Sequence, residues 1–203
     1  MKKYNNISIK KILLAAGCSK RYGDKNKLTE NFKGKHLIQH IIHTLLKVFD
    51  PCELLVILGH DSKVIKDLID NTDIRIVNNK KYKNGIGTSI SLGIQHLDTT
   101  VQGVMIIPAD MPLISAEDLI KLENEFIAHN CKKVVLPKYK YTIGNPVILP
   151  KSYFATLKNL KEDFGAKSQI KQSDIVEVDC DIGTVFDIDT SKALAKANIL
   201  VKV

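Results

Sequence analysis

LLAAGCSKRYGDKNKL, residues 13–28, stops a hydrophobic run at Ala15-Ala16-Gly17 and follows it with a small basic loop. The run before the break, SIKKILLAA over 8–16, reads as a strand. Ala15, Ala16 and Gly17 have almost no side chain, so a ring or a phosphate can approach the backbone closely. Backbone N–H groups in such a loop form an anion-binding concavity. Arg21 and Lys27 then offer a forked guanidinium and a compact ammonium to a polyphosphate. The loop asks for a nucleoside triphosphate, although neither GxxxxGK[ST] nor GxGxxG is present. The alternative for the same residues is a Gly-containing turn with a solvated basic edge.

Outward from this loop, apolar runs alternate with helix-period segments. Residues 35–49 put Leu37, Ile38, Ile41, Ile42, Leu45, Leu46 and Phe49 on one helical face. Residues 53–59 read as a strand, 61–70 as a helix opened by Asp61 or Ser62, and 74–77 as a short strand. A Gly-rich turn enters a helix over 84–97, and GVMIIPAD at 103–110 is a buried strand ending in a carboxylate. Ser115 with Asp118 three residues on opens a helix over 115–129. Strands are expected at 133–137, 146–150, 175–179 and 184–188, a short helix at 165–171 and a final helix at 190–199. Residues 138–150 read as an excursion with a small antiparallel element. This alternation predicts an α/β fold with a mostly parallel sheet covered on both faces, and a ligand at the carboxyl ends of the strands. With no repeat, low-complexity tract or composition break, 1–203 reads as a single domain.

The chain has 30 Lys and Arg against 22 Asp and Glu, a net charge of +8. The lysines are spread along the chain with no dense basic arm, so the field suits anionic ligands and nucleic acid is not expected as a partner. No apolar stretch reaches membrane-span length, and MKKYNNISIKK lacks the apolar core of a signal peptide. The expectation is a cytoplasmic protein without a membrane partner. The four cysteines form no CxxC pair, which argues against a zinc knuckle or a disulfide framework.

Two acidic constellations carry the remaining chemistry. PADMP at 108–112 places Asp110 at a strand's carboxyl end, where a carboxylate suits Mg2+; the alternative is a turn or cap Asp before Pro112. FDIDT at 186–190 supplies Asp187 and Asp189 at a strand-to-helix junction. One of them can complete a metal pair with Asp110, or Asp189 or Thr190 can cap the last helix. His36, His40 and His43 lie at helical spacing, but no Cys or Glu accompanies them in a metal-ligand pattern.

Together these motifs resemble the nucleotidyltransferases of the molybdenum cofactor, and the molybdenum cofactor cytidylyltransferases among this MobA-like family above all. The family's LAAGxSxRxG…K loop appears as LAAGCSKRYGDKNK, 14–27, with Lys27 the natural match for its lysine and Lys25 the competitor. PADMP is unchanged at 108–112, G[HN]PV appears as GNPV at 144–147, and DIDT stands at 187–190. A GDxGA-like segment appears as EDFGAK, 162–167, with Glu162 where the family usually has Gly. NGIGTSISLG at 84–93 looks like the family's Ser-containing turn. The guanylyltransferase relatives usually read LAGG and carry Cys before the strand-end Asp; Ala16 and Ala109 stand there instead. Cytidylyltransferases of methylerythritol phosphate share the LAAG loop, so the loop alone leaves the acceptor open.

The resemblance implies a Rossmann-like, three-layer α/β/α nucleotidyltransferase fold, that of the nucleotide-diphospho-sugar transferases. It implies CMP transfer from CTP to the terminal phosphate of a molybdopterin-type cofactor, with Mg2+ as cofactor and pyrophosphate released. The alternatives are a different small phosphate acceptor, such as a sugar or polyol phosphate, and GTP in place of CTP. A client molybdoenzyme is a further implied partner. The resemblance assigns Leu14, Ala15, Ala16, Gly17, Ser89 and Ala109 to the nucleotide, and Arg21 and Lys27 to its phosphates. Asp110 and Asp189 hold the metal, with Asp187 in reserve, and Gly144, Asn145 and Pro146 line the pterin side.

Overall fold

The computed structural model describes residues 7–19, 22–23, 25–69 and 73–200. Along the chain run β1 (Ile9–Ala15), β2 (Asn31–Phe32), β3 (Lys35–His36), α1 (Leu37–Leu46), β4 (Leu54–Leu58), α2 (Ser62–Asp67) and β5 (Arg75–Asn78). Then follow α3 (Ile86–Gln95), β6 (Gly103–Pro108), α4 (Ala116–Ala128), β7 (Val134–Tyr139), β8 (Thr142–Ile143), β9 (Val147–Pro150), α5 (Phe154–Leu157), β10 (Ile175–Asp179) and α6 (Ser191–Leu200). The main sheet has the order β5-β4-β1-β6-β9-β7-β10, with β8 paired to β7. β1 pairs in parallel with β4 and β6, β4 with β5, and β7 with β10; β9 runs antiparallel between β6 and β7.

A sheet covered on both faces needs apolar residues at successive positions, not alternate ones. All five residues of β4 and the first five of β6 are accordingly buried. Leu13, Val56, Met105 and Ile148 pack on the face that carries α1, α2 and α4 through Ile41, Ile65 and Leu122. Ile12, Ile57, Val104 and Leu149 pack on the opposite face with Ile90 and Ile94 of α3 and Leu157 of α5. The chain moves from β1 outward to β4 and β5, then returns past β1 to β6. The loops leaving β1 and β6 therefore part company, which opens a crevice at the carboxyl ends of these two strands.

The small antiparallel element expected within 138–150 is the β7–β8 pair. Four expectations are corrected. The helix over 35–49 is Leu37–Leu46, because Lys35 and His36 are taken into the β2–β3 hairpin. The helix over 61–70 is Ser62–Asp67, and Asp70 lies outside the described residues. The segment 165–171 forms a 3-10 turn, Ala166–Gln169. TVFDI at 184–188 is no strand: Ile182–Val185 is a 3-10 turn, and the following residues cross the top of the sheet without ladder pairing. Ile188 and Phe186 satisfy their apolar character against Phe32, Leu37 and the Ala197 side of α6. The sheet edge beside β7 is already occupied by β10.

The histidines of the α1 region serve this packing. His36 Nδ1 donates to Thr29 O and His40 Nε2 to Phe32 O, both at 2.5 Å. They pin the hairpin that links the basic loop to α1.

Candidate active site

The loop after β1 is held by short-range contacts that end on Lys27. Asn26 is buried; its Oδ1 accepts from Leu28 N at 3.1 Å and caps the 3-10 turn Lys27–Thr29. Ser19 Oγ accepts from the Lys27 backbone N–H at 3.1 Å, and Leu28 anchors the turn in the core. Lys27 thus leaves a fixed backbone and sends its ammonium across the crevice. There Nζ donates to Asp110 Oδ2 at 2.5 Å and to Asp189 Oδ1 at 2.6 Å.

Asp110 stands two residues beyond the end of β6. Its carbonyl accepts from Ile188 N at 2.9 Å, which ties the 186–189 segment to the strand end. Ile188 is fully buried while Asp187 is exposed and Asp189 half-buried. Asp110, Asp187 and Asp189 each offer a carboxylate oxygen, and these oxygens lie within 4.8 Å of one another. Burial and the neighbouring Asp189 and Asp110 charges push the Asp187 carboxyl above its ordinary range. Burial works to lower the Lys27 ammonium, but the charges and hydrogen bonds of Asp110 and Asp189 outweigh it and hold the pKa above its usual value.

The cluster fits a divalent cation of the hard, oxygen-seeking kind. The test is Asp110 Oδ1, which is buried and has no hydrogen-bond partner among the described residues. An orphaned carboxylate oxygen is costly unless a proton or a cation meets it.

Beside the cluster lies a cavity of about 390 Å³. It is lined by Leu14, Ala15, Ala16 and Gly17, by Gly85, Ile86 and Ser89, and by Lys27, Asp110 and Asp189. Among the described residues a Cβ added at Gly17 meets no atom within 4 Å, so their packing does not require glycine there; its absent side chain leaves backbone open to a ligand. Gly85 is different. It has φ +100°, and a Cβ would lie 2.2 Å from the Glu162 carbonyl. That close approach, with Gly87 N donating to Glu162 O at 2.8 Å, holds residues 161–163 against the start of α3 and accompanies Asp163 in the cavity lining.

The structure brings together Leu14, Ala15, Ala16, Gly17, Lys27, Ser89, Asp110 and Asp189. Ala109 packs in the core on the α1 and α4 face, and it does not line the cavity. Lys25 is exposed and lies off the cavity wall. Arg21 lies outside the described residues. Gly144, Asn145 and Pro146 form a separate, tightly held turn. Asn145 N donates to Thr184 O at 2.7 Å, and a Cβ at Gly144 would meet that same oxygen at 2.0 Å. Lys167 Nζ donates to Gly144 O, and burial lowers its pKa.

Sequence reasoning passed over Tyr82, Lys83 and Asp163 on the cavity wall and Lys167 behind the Gly144 turn. The signals were present. Lys83 directly precedes the Gly-rich turn, and Asp163 and Lys167 lie inside the EDFGAK motif.

Comparison with known proteins agrees with this geometry. Residues 11–177 match the family model described as the MobA-like NTP transferase domain. A curated relative, the bifunctional protein GlmU of Legionella pneumophila, is 31% identical over 117 residues, 57% of this chain and 25% of that protein. The match thus spans about a quarter of the length of that relative. Among solved structures, the homologue of Mycobacterium tuberculosis Rv0371c from Mycobacterium sp. strain JC1 superposes with a TM-score of 0.81 at 21% identity, over 96% of this chain and 98% of that one. The 4-diphosphocytidyl-2C-methyl-D-erythritol synthase of Anaerococcus prevotii gives 0.76 at 17% identity, over 97% and 96%. Molybdopterin-guanine dinucleotide biosynthesis protein A of Archaeoglobus fulgidus gives 0.65 at 20% identity, over 94% and 97%. At these identities the superpositions speak for a shared Rossmann-like nucleotidyltransferase fold.

Proposed function

The chain belongs to the MobA-like NTP transferase family, and from that premise we propose that it transfers CMP from CTP to the terminal phosphate of a molybdopterin-type cofactor, releasing pyrophosphate. The observation that carries the nucleotidyl-transfer part is the Lys27, Asp110 and Asp189 cluster in a cavity also lined by 14–17, Gly85, Ile86 and Ser89. Ala16 on the cavity wall supports a cytidine nucleotide, through the resemblance of LAAG to the cytidylyltransferase loop. PADMP together with GNPV supports the molybdopterin acceptor.

In this reading the nucleoside lies against Leu14, Ala15, Ala16 and Gly17, and its phosphates run toward Lys27. An oxygen of the acceptor phosphate forms a bond to the α-phosphorus as the bond from that phosphorus to the β-phosphate oxygen breaks. The acceptor is already an anion near neutral pH, so no strong general base is needed. The protein's part is to align the reactants and to meet charge where it develops. Lys27 and Arg21 neutralise the departing pyrophosphate. Gly144, Asn145 and Pro146 line the pterin side, where Asn145 offers both a donor and acceptors. A divalent cation, Mg2+ in this reading, would be held by Asp110 and Asp189 with Asp187 beside them, and would supply charge neutralisation on phosphate oxygens.

The reading takes 1–203 as one nucleotidyltransferase domain working in the cytoplasm, and extends to delivery of the product to a client molybdoenzyme. Among the described residues no helix is long and apolar enough to cross a membrane. A second reading, supported by the likeness to the methylerythritol synthase, keeps the chemistry but uses a different small phosphate, such as a sugar or polyol phosphate, as acceptor. The likeness to the guanine dinucleotide protein supports GTP as the alternative donor. Pyrophosphate release decides among them. Purified protein is given Mg2+ and CTP, GTP, ATP or UTP, with the molybdopterin cofactor or with sugar and polyol phosphates. Release that requires both CTP and the cofactor is expected. Release with GTP overturns the base assignment, and release only with a sugar or polyol phosphate overturns the acceptor.

A further inference from the structure

Asn79 follows the last residue of β5, is 3% exposed, and has no part in the chemistry above. Its backbone N–H donates to Leu58 O at 2.7 Å, and its carboxamide turns to the start of α3. Oδ1 accepts from the Lys81 backbone N–H at 2.8 Å. Nδ2 donates to Thr88 Oγ1 and to Ser89 Oγ, each at 2.9 Å. Chemistry sets this orientation of the amide. A backbone N–H only donates, so the atom facing Lys81 is the oxygen and the atom facing the two hydroxyls is the nitrogen.

The orientation dictates the polarity of both hydroxyls. Each receives a hydrogen from Asn79, so each directs its own hydrogen elsewhere. Thr88 gives its hydrogen to Gly85 O at 2.8 Å. Ser89 is 3% exposed and lines the cavity, and among the described residues its hydroxyl makes only the bond it accepts from Asn79. Its own hydrogen has no acceptor among the described residues.

We infer that Asn79 is a positioning residue that makes Ser89 a hydrogen-bond donor into the cavity, so that the bound nucleotide presents to Ser89 an acceptor bearing no hydrogen. A carbonyl oxygen or an unprotonated ring nitrogen fits this demand. A nucleotide with an N–H at the same place can meet only the hydroxyl's remaining lone pair and leaves the Ser89 hydrogen unsatisfied, so it is disfavoured. The inference rests on the nucleotide reading proposed above.

Asn79→Asp reverses the polarity. A carboxylate oxygen replaces the donating nitrogen, accepts from Ser89, and turns the hydroxyl's lone pairs toward the ligand. CTP binding is measured by calorimetry with Mg2+ on the wild type, Ser89→Ala, Asn79→Asp and the double variant. In the natural background Ser89→Ala weakens CTP by about three- to tenfold, the size of one ordinary hydrogen bond. In the Asn79→Asp background the same change costs nothing or improves binding. The extra negative charge stands on both sides of that second comparison, so the cycle isolates the hydroxyl. Equal losses in the two backgrounds are what a merely structural Asn79 gives, and overturn the inference. Where Asn79→Asp fails to fold, Asn79→Ala serves: it frees the hydroxyl to rotate, so the cost of Ser89→Ala shrinks, and an undiminished cost overturns the inference. If GTP, ATP or UTP binds instead of CTP, the cycle is run with that nucleotide and the same criterion holds. If none of the four binds the wild type, the nucleotide reading falls and this inference with it, a result distinct from an additive cycle.

Discussion

Two lysines in this molecule each sit between two carboxylates, at opposite ends of the same sheet. Lys11, on β1, meets Glu123 at 2.7 Å and Glu53 at 3.2 Å, donates to Ile9 O, and lies 3.8 Å from the centroid of the Phe49 ring. It is 1% exposed. Lys27, on a 3-10 turn, meets Asp110 and Asp189 and lines a cavity. The charge pattern is the same, and the surroundings differ in three respects. Lys11 stands on a central strand with its donors engaged by protein. Lys27 stands on a loop beside open space. An oxygen of one Lys27 partner, Asp110 Oδ1, is left orphaned, and neither Lys11 partner has such an atom among the described residues. The difference teaches that a buried ion triad identifies a working site only when cavity access and an unsatisfied group accompany it.

The comparison breaks most decisively at Asp110. Asp110→Asn keeps the size of the side chain and removes a cation-binding charge, so turnover falls by about a thousandfold or more while the melting temperature barely moves. Pyrophosphate release at saturating Mg2+ reads this, and undiminished turnover there would sink the metal role.

Lys27→Met comes next. It removes the ammonium that meets the phosphates and lowers turnover by about a hundredfold. It also removes the cation now held by Asp110 and Asp189, so Mn2+ binds the nucleotide-free protein more tightly, as read by paramagnetic resonance titration. Weaker Mn2+ binding would mean that Lys27 organises the carboxylates and does not compete for them.

Lys11→Met sharpens the other half. It leaves Glu53 and Glu123 without their shared cation and costs about 3 kcal/mol of stability. That is the low end of the usual range, because both carboxylates reach solvent. Activity per folded molecule is unchanged. Denaturant unfolding paired with an activity titration checks both, and a loss of turnover without loss of stability would erase the contrast.

The smallest effect is in the pH dependence of Glu123. Burial, aided by the Glu53 charge, holds its carboxyl above the ordinary 4.5 against the opposing pull of Lys11. The folded state therefore holds this proton more tightly than the unfolded chain. The linked stability is fully present below about 4.5 and is lost as pH rises through the raised folded value. The stability of the wild type relative to Glu123→Gln should decline as pH rises above about 4.5. A difference that grows with pH would show that Lys11 has lowered the carboxyl instead.

Much of the fold was legible because it follows from local pattern. Unbroken apolar runs such as LLVIL and GVMIIP can be buried on both faces only in a covered sheet, and the helices between them carry their own periodicity. The segment at 184–188 is misread because Val185, Phe186 and Ile188 look like a strand, and only the packing of Phe186 and Ile188 against α6 and Phe32 removes the need for a ladder. Lys11 shows the same limit from the other side. Within SIKKILLAA nothing marks it as buried; its partners arrive from Glu53 and Glu123, the latter 112 residues away.

By itself, then, the sequence determined the α/β alternation, the small-residue loop after β1 and the carboxylate at the end of β6. Each of these depends on neighbours within a few residues. Tertiary structure decided which charges meet. Lys27 reaches Asp110 across 83 positions and Asp189 across 162. It also decided that Asn79 presents its nitrogen, not its oxygen, to Ser89. Electrostatics and hydrogen-bond polarity act over a few ångströms of space, and only the folded chain sets which residues share those ångströms.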